Sequence, residues 1–112
     1  MKKYQLGEFE EIVLLTVGVL YNNAYGVSIK QEITERLERK VSVGALQAAL
    51  RRLEDKGYLS SRRGESNNRR GGRPKLFFTL TALGQKALEY SRETRNSLWN
   101  AIPPAALQLK PL

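Results

Sequence analysis

The sequence of 112 residues contains no cysteine and no histidine. The missing cysteines exclude disulfides and thiol nucleophiles. The two absences together exclude zinc sites of the usual kind and the commonest general base. Acidic residues are few, with 11 Asp and Glu against 19 Lys and Arg, a net charge of +8. Long apolar runs are missing as well. The run IVLLTVGVL, residues 12–20, falls well short of the roughly 20 residues that cross a bilayer. The start MKKYQ resembles a secretory signal in its two lysines, but Glu8, Glu10 and Glu11 precede the apolar run, where a signal tolerates no such carboxylates. A cytoplasmic protein is therefore expected. No phosphate-loop or dinucleotide fingerprint is present, and most carboxylates sit on helix faces beside lysine or arginine. Those absences argue against an enzyme and against any cofactor or metal.

What is there is a chain of one-domain length, with 41% hydrophobic residues and room for a small core. Its positive charge is local. SRRGESNNRRGGRPK, residues 61–75, contains Arg62, Arg63, Arg69, Arg70, Arg73 and Lys75 against a single acid, Glu65. This stretch has almost nothing apolar and cannot fold alone. A concentrated basic surface of this kind is the footprint of a polyanion-binding site. A solubilising charged loop is the plainer alternative, but a bare loop has no need of six cations.

Hydrophobic periodicity organises the rest. Residues 6–20 predict a helix with apolar residues on every side, a pattern of burial all round that suggests contact with a second copy. Asn22 and Asn23 break it. Residues 26–38 predict an amphipathic helix, with Val27, Ile29, Ile33 and Leu37 near one face. The pairs Glu32–Arg36 and Glu35–Arg39 stand four apart on its solvated side. Ser42 is the expected N-cap of a third helix, residues 43–56, with Leu46, Ala49, Leu50 and Leu53 as its buried stripe and Gly57 as its stop. Tyr58–Arg62 and Lys75–Leu80 read as strands, so the basic segment is the loop of a long hairpin, turning at Asn67-Asn68 and Gly71-Gly72. Thr81 caps a last helix that runs to about Ala101, where Pro103 and Pro104 end it before a short tail. Two semi-apolar rows on that helix, one through Tyr90 and Leu98 and the other through Leu88 and Trp99, predict packing on a partner chain.

Three helices followed by a two-stranded ribbon is the order of a winged helix–turn–helix, in a mainly α (α+β) chain. Residues 1–80 form the expected DNA-binding domain, and residues 81–112 the C-terminal dimerisation helix and tail. In that fold the third helix enters the major groove and the hairpin is the wing. Ser42, Gly44, Ala45, Gln47, Ala48 and Arg51 are the candidate reading residues. The small ones let the helix sit deep, Gln47 suits adenine and Arg51 suits guanine. On the wing, Arg62, Arg63, Arg69, Arg70, Arg73 and Lys75 are candidate phosphate contacts, and Gly71 and Gly72 allow close backbone approach. At the start of the second helix, Tyr25, Ser28 and Lys30 are further candidates. Junction packing is the alternative for Tyr25, and a solvated lysine for Lys30.

LGEFEEIVLL (6–15), AYGVSIKQEI (24–33), SVGALQAALRRLEDKGYL (42–59) and RGGRPKLFFTLTALG (70–84) resemble, in order, the PadR family of bacterial transcriptional regulators. The single C-terminal helix is similar to the family's small subgroup. The resemblance implies a repressor that dimerises through its last helix, helped by its first. It also implies an inverted-repeat operator and, in many members, release by a small aromatic or hydrophobic effector. Gln47 stands where many members carry a tyrosine in the reading helix. Tyr90 and Trp99 are candidate effector-site or dimer-interface residues. A general DNA- or RNA-binding protein that uses its basic hairpin without sequence choice is the alternative function.

Overall fold

The computed structural model describes residues 4–64 and 74–108. The first helix, α1 (Glu8–Leu20), begins where the Glu10 side chain folds back and accepts the Gly7 N–H at 2.8 Å. Three glutamates in its first turn complement the positive end of the helix dipole. Val13, Leu14 and Val17 are fully enclosed. Burial all round is not observed within the chain, because Leu15 and Val19 lie on the outer face, 48% and 56% exposed. A short 3₁₀ turn, Tyr21–Asn23, follows at the expected break.

The second helix, α2 (Gly26–Leu37), buries Ile29 and Ile33. Val27 and Leu37 are exposed, which corrects the four-residue face expected for this helix. Val27 lies about 160° around the axis from Ile29, too far to share its contacts. Of the two expected ion pairs, Glu32–Arg36 forms at 2.6 Å. Glu35 instead accepts from Gln31, while Arg39 leaves the helix and reaches Glu8 at 2.7 Å. The reason is local: Glu38 adopts a left-handed conformation (φ 50°), which turns Arg39 away from the helical spiral. There the Arg39 guanidinium also lies 5.2 Å from the centre of the Phe9 ring.

The third helix, α3 (Val43–Asp55), starts at Ser42, whose hydroxyl accepts the Ala45 N–H at 3.1 Å. A cap of this type contributes about 1 kcal/mol. Leu46, Ala49, Leu50 and Leu53 are buried, the stripe expected from the spacing. The helix ends as a Schellman motif. The N–H of Tyr58 bonds the Leu53 carbonyl and that of Gly57 bonds the Glu54 carbonyl, with Gly57 at φ 80°.

Strands β1 (Leu59–Arg63) and β2 (Leu76–Leu80) pair antiparallel, Leu59 opposite Leu80 and Arg63 opposite Leu76. Leu59 and Phe78 turn inward to the core. A further bridge joins Tyr25 to Phe77, and the Phe78 N–H donates to the Ala24 carbonyl at 2.7 Å. The chain just before α2 thus lies along the free edge of β2.

Thr81 caps α4 (Ala82–Ala101). Its hydroxyl accepts from Gly84 N–H and donates to the Gly57 carbonyl, which ties the end of α3 to the start of α4. Gly84 and Ala87 are the buried positions of α4, and Ser91 and Arg95 bond Glu11 of α1. The helix stops before the two prolines as expected. The tail is not wholly irregular, however: Pro104 opens a one-turn helix, α5 (Pro104–Leu107), at the first helical position, where its missing N–H costs nothing. The architecture is a winged helix–turn–helix of three packed helices and a two-stranded wing, with a C-terminal helix leading away from it. Among the described residues no helix is long and apolar enough to cross a membrane.

Candidate nucleic-acid interface

The outer face of α3 carries the predicted reading residues together. Gly44, Ala45, Gln47 and Arg51 are exposed, Ala48 is half-buried, and Ser42 stands at the helix start. The space around Gly44 is open: a Cβ built there would meet nothing within 4 Å. Gln47 extends toward the start of α2, where its Nε2 would lie 3.4 Å from a Cβ on Gly26.

The adjacent arginines of α3 divide. Arg52 turns toward the body and its Nε donates to Glu10 Oε2 at 3.3 Å. Arg51, one position earlier and about 100° around the helix, has no hydrogen bond or ion pair among the described residues and projects to solvent. Glu10 also receives Lys56 Nζ, at 3.0 and 3.1 Å from its two oxygens. Burial pushes the Glu10 carboxyl up. The Gly7 N–H and the Lys56 and Arg52 cations outweigh that effect and hold it below the ordinary glutamate value. On the other side of α3, in the link that precedes it, the hydrogen bond from Arg39 lowers the Glu8 carboxyl despite a smaller opposing effect of burial. The first turn of α1 therefore grips the chain on both sides of α3.

At the start of α2, the Ser28 hydroxyl is already engaged. It accepts from the Tyr25 N–H at 2.9 Å and lies 2.7 Å from the Asn23 carbonyl as donor. Tyr25 packs edge-on against Phe77, with ring centres 5.5 Å apart. Lys30 is half-buried on the first turns of the same helix. At the root of the wing, the Arg62 guanidinium sits 4.8 Å from the Phe77 ring centre, and Lys75 Nζ sits 4.3 Å from that of Tyr25. Arg63 is exposed on β1. The remaining wing candidates, Arg69, Arg70, Gly71, Gly72 and Arg73, lie outside the described residues. So do the turns expected at Asn67-Asn68 and Gly71-Gly72.

Tyr90 and Trp99 are not brought together within one chain. Nine residues apart on α4, they point about 180° from one another. Tyr90 stacks obliquely with Tyr4, ring centres 5.5 Å apart, beside a 170 Å³ hollow lined by both rings, Leu6 and Arg95 among others. Trp99 is 63% exposed on the outer surface.

Phe77 is not among the residues that the sequence singles out, although it touches two that are. Strand alternation does carry a signal for it. It places Phe77 on the side opposite Phe78, the side that a two-stranded ribbon leaves uncovered, where a large ring needs a neighbour. The bond from the Ser61 hydroxyl to Glu54, which ties β1 to the end of α3, has no comparable signal.

The profile of the Transcriptional regulator PadR-like family matches residues 14–90. A search of curated proteins gives no match. Among solved structures, a PadR-like transcription factor from Bacteroides fragilis is 29% identical, with TM-score 0.66, covering 85% of this chain and 89% of its own. RosR of H. salinarum is 25% identical, with TM-score 0.66, covering 88% and 82%. A PadR family regulator from Clostridium difficile shares the fold at 24% identity and TM-score 0.66, covering 82% and 92%. An outer face of α3 on which Gln47 and Arg51 make no hydrogen bond or ion pair among the described residues, cations at the wing root and a family profile spanning both lead to one assignment: the chain belongs to the PadR-like family of transcriptional regulators.

Proposed function

We propose that the protein binds an inverted-repeat operator in duplex DNA as a homodimer and represses transcription from it in the cytoplasm. The observation that carries this reading is the outer face of α3. It carries small residues and two polar side chains, Gln47 and Arg51, that have no bonding partner among the described residues, and Gln47 reaches toward Gly26, the neighbour of the Tyr25 ring that Lys75 overlies. A helix of this kind fits the major groove. Gln47 pairs with adenine and Arg51 with guanine, each pairing being worth about 1–3 kcal/mol of discrimination. On this reading Ser42, at the α3 start, and Tyr25 and Lys30, near the α2 start, contact the flanking phosphates, while the Ser28 hydroxyl accepts the Tyr25 N–H. The wing cations, the Arg69, Arg70 and Arg73 stretch included, neutralise backbone phosphates and release counterions.

Residues 1–80 are the DNA-binding unit on this reading, and residues 81–112 the dimerisation arm. The arm and α1 together expose Leu15, Val19, Leu98 and Trp99, large apolar side chains that a second copy could cover. In such a dimer a flat aromatic or hydrophobic effector matches the rings of Tyr90 and Trp99. A dimer seated on promoter DNA blocks initiation, hence repression.

The test is footprinting on DNA upstream of the protein's own gene and of its neighbours. A protected palindrome with half-sites about one helical turn apart is expected. Equal affinity for that site and a random duplex would instead mark a general nucleic-acid binder. For the effector, aromatic compounds titrated against Trp99 fluorescence should shift its emission and release the DNA.

A further inference from the structure

One face of the wing root is organised around Phe77. Arg62 lies directly opposite it on β1, Lys75 precedes it by two residues, just before β2 begins, and Tyr25 bridges it from the other edge. Strand geometry sends the side chains at these positions to one side of the ribbon, away from the Phe78 that enters the core. Gly64 follows Arg62 by two and completes the set. Its N–H donates to the Lys75 carbonyl at 2.7 Å, and a Cβ there would come within 2.5 Å of the Phe77 ring. The ring therefore occupies space that any other residue at position 64 would take.

Around that ring the side chains stack in series. The Arg62 guanidinium lies over Phe77, Phe77 meets Tyr25 edge-on, and the Lys75 ammonium lies over Tyr25. Neither cation has a carboxylate partner among the described residues. A cation held by an aromatic face keeps its whole charge, whereas an ion pair cancels it. We propose that Phe77 is a positioning residue for DNA binding: it holds Arg62 directly, and Lys75 through Tyr25, as a fixed pair of phosphate-binding cations at the wing root. The proposal rests on the DNA-binding reading above and adds that two of the phosphate-binding cations depend on an uncharged ring.

The experiment measures affinity for a random-sequence duplex as a function of salt, with thermal unfolding of each variant alongside. The slope of log K against log salt falls by about 0.9 for each phosphate that the protein no longer neutralises. The double variant R62Q/K75Q is expected to lower its magnitude by about 1.8, corresponding to two phosphates. Phe77→Ala, which removes no charge, is expected to lower it by a comparable amount. Adding Phe77→Ala to R62Q/K75Q is expected to change it no further. Phe77→Leu keeps most of the bulk without the aromatic face and gives the same decrease, and it carries the test should the alanine variant unfold. Phe77→Tyr restores the wild-type slope. A wild-type slope in Phe77→Leu, or a decrease that adds fully to that of R62Q/K75Q, overturns the proposal. Failure of the wild-type protein to bind any duplex overturns the DNA-binding reading itself.

Discussion

Lys56 and Glu10 meet 46 positions apart, the ammonium 3.0 and 3.1 Å from the two carboxylate oxygens, and so join the end of α3 to the first turn of α1. Lys56 Nζ also donates to the Gln5 carbonyl at 2.9 Å. The Glu10 side chain is 9% exposed, so its partners are not readily replaced by water. Its carboxyl titrates below the ordinary value in the folded chain because its bonds to Gly7, Lys56 and Arg52 outweigh burial. A depressed folded pKa contributes stability that is present above the unfolded value, near 4.3. That stability is lost as pH falls through the lower folded value. Glu10→Gln is expected to cost about 1–2 kcal/mol at pH 7, moderated because Lys56 and Arg52 are themselves partly exposed. Urea unfolding of both proteins from pH 3 to pH 7 checks it. The gap should be constant above about pH 5 and should shrink below about pH 4. A gap unchanged down to pH 3 would contradict the assignment.

Arg51 and Arg52 separate affinity from stability. Arg51→Ala is expected to weaken operator binding by about 1–3 kcal/mol, to relax base choice at one position and to leave unfolding nearly unchanged. Arg52→Ala removes a bond to Glu10 from a half-exposed side chain. It should lower stability by at most about 1 kcal/mol and alter base choice little. Competition binding against single-base operator variants, paired with thermal melts, distinguishes the two. A specificity change in Arg52→Ala, with none in Arg51→Ala, would mean that the outward face of α3 has been misidentified.

Two glycines in helices should respond to alanine in opposite ways. At Gly84 an added Cβ would run into the Tyr58 carbonyl oxygen and crowd Leu80, both set by the junction of α3, the wing and α4. Gly84→Ala is expected to cost several times the roughly 1 kcal/mol that helix propensity would return. Gly44 faces open space near the start of α3, so Gly44→Ala should raise stability by up to about 1 kcal/mol. If α3 lies deep in a groove, the same methyl should weaken DNA binding. Chemical denaturation and gel shifts on both variants measure each effect. Equal stability changes would refute the packing argument at Gly84.

The order of elements is legible in the sequence because local signals agree with one another. Ser42 and Thr81 read as caps, Gly57 as a stop, and the leucines of α3 as a stripe, and each is what the structure contains. The departures occur where a distant partner competes with a neighbour in sequence. Arg39 has Glu35 four residues away but pairs with Glu8, 31 positions away, once the left-handed Glu38 redirects the chain. The spacing of Arg51 and Arg52 does not tell which one Glu10 captures. Tyr25 and Phe77 lie in separate elements, and their meeting depends on how the segment before α2 reaches the sheet edge. Periodicity along one element contains no information of that kind. The α3 face, by contrast, is readable because small residues opposite a leucine stripe must point outward wherever the helix packs.

The last prediction concerns the outer surface of α1 and α4. Leu15 is half exposed beside a 680 Å³ groove that it shares with Leu88, Gln85 and Arg92, among others, and Glu11 at its edge binds Ser91 and Arg95. Those bonds fix the two helices relative to one another, so the groove is a preformed surface. A second copy seated there would cover Leu15, and a carboxylate at that position would lose its water in a groove that already holds Glu11 and Glu89 beside its arginines. Leu15→Asp is therefore expected to raise the dimer dissociation constant at least tenfold, or about 1.4 kcal/mol. The monomer should remain folded, since Leu15 contributes little to its own core. Sedimentation velocity across a dilution series gives the dissociation constant, and circular dichroism checks the fold. Affinity for an inverted repeat should fall with the dimer, while affinity for an isolated half-site should not. A wild-type dissociation constant in Leu15→Asp would remove this groove from the dimer interface, whatever becomes of the DNA-binding face.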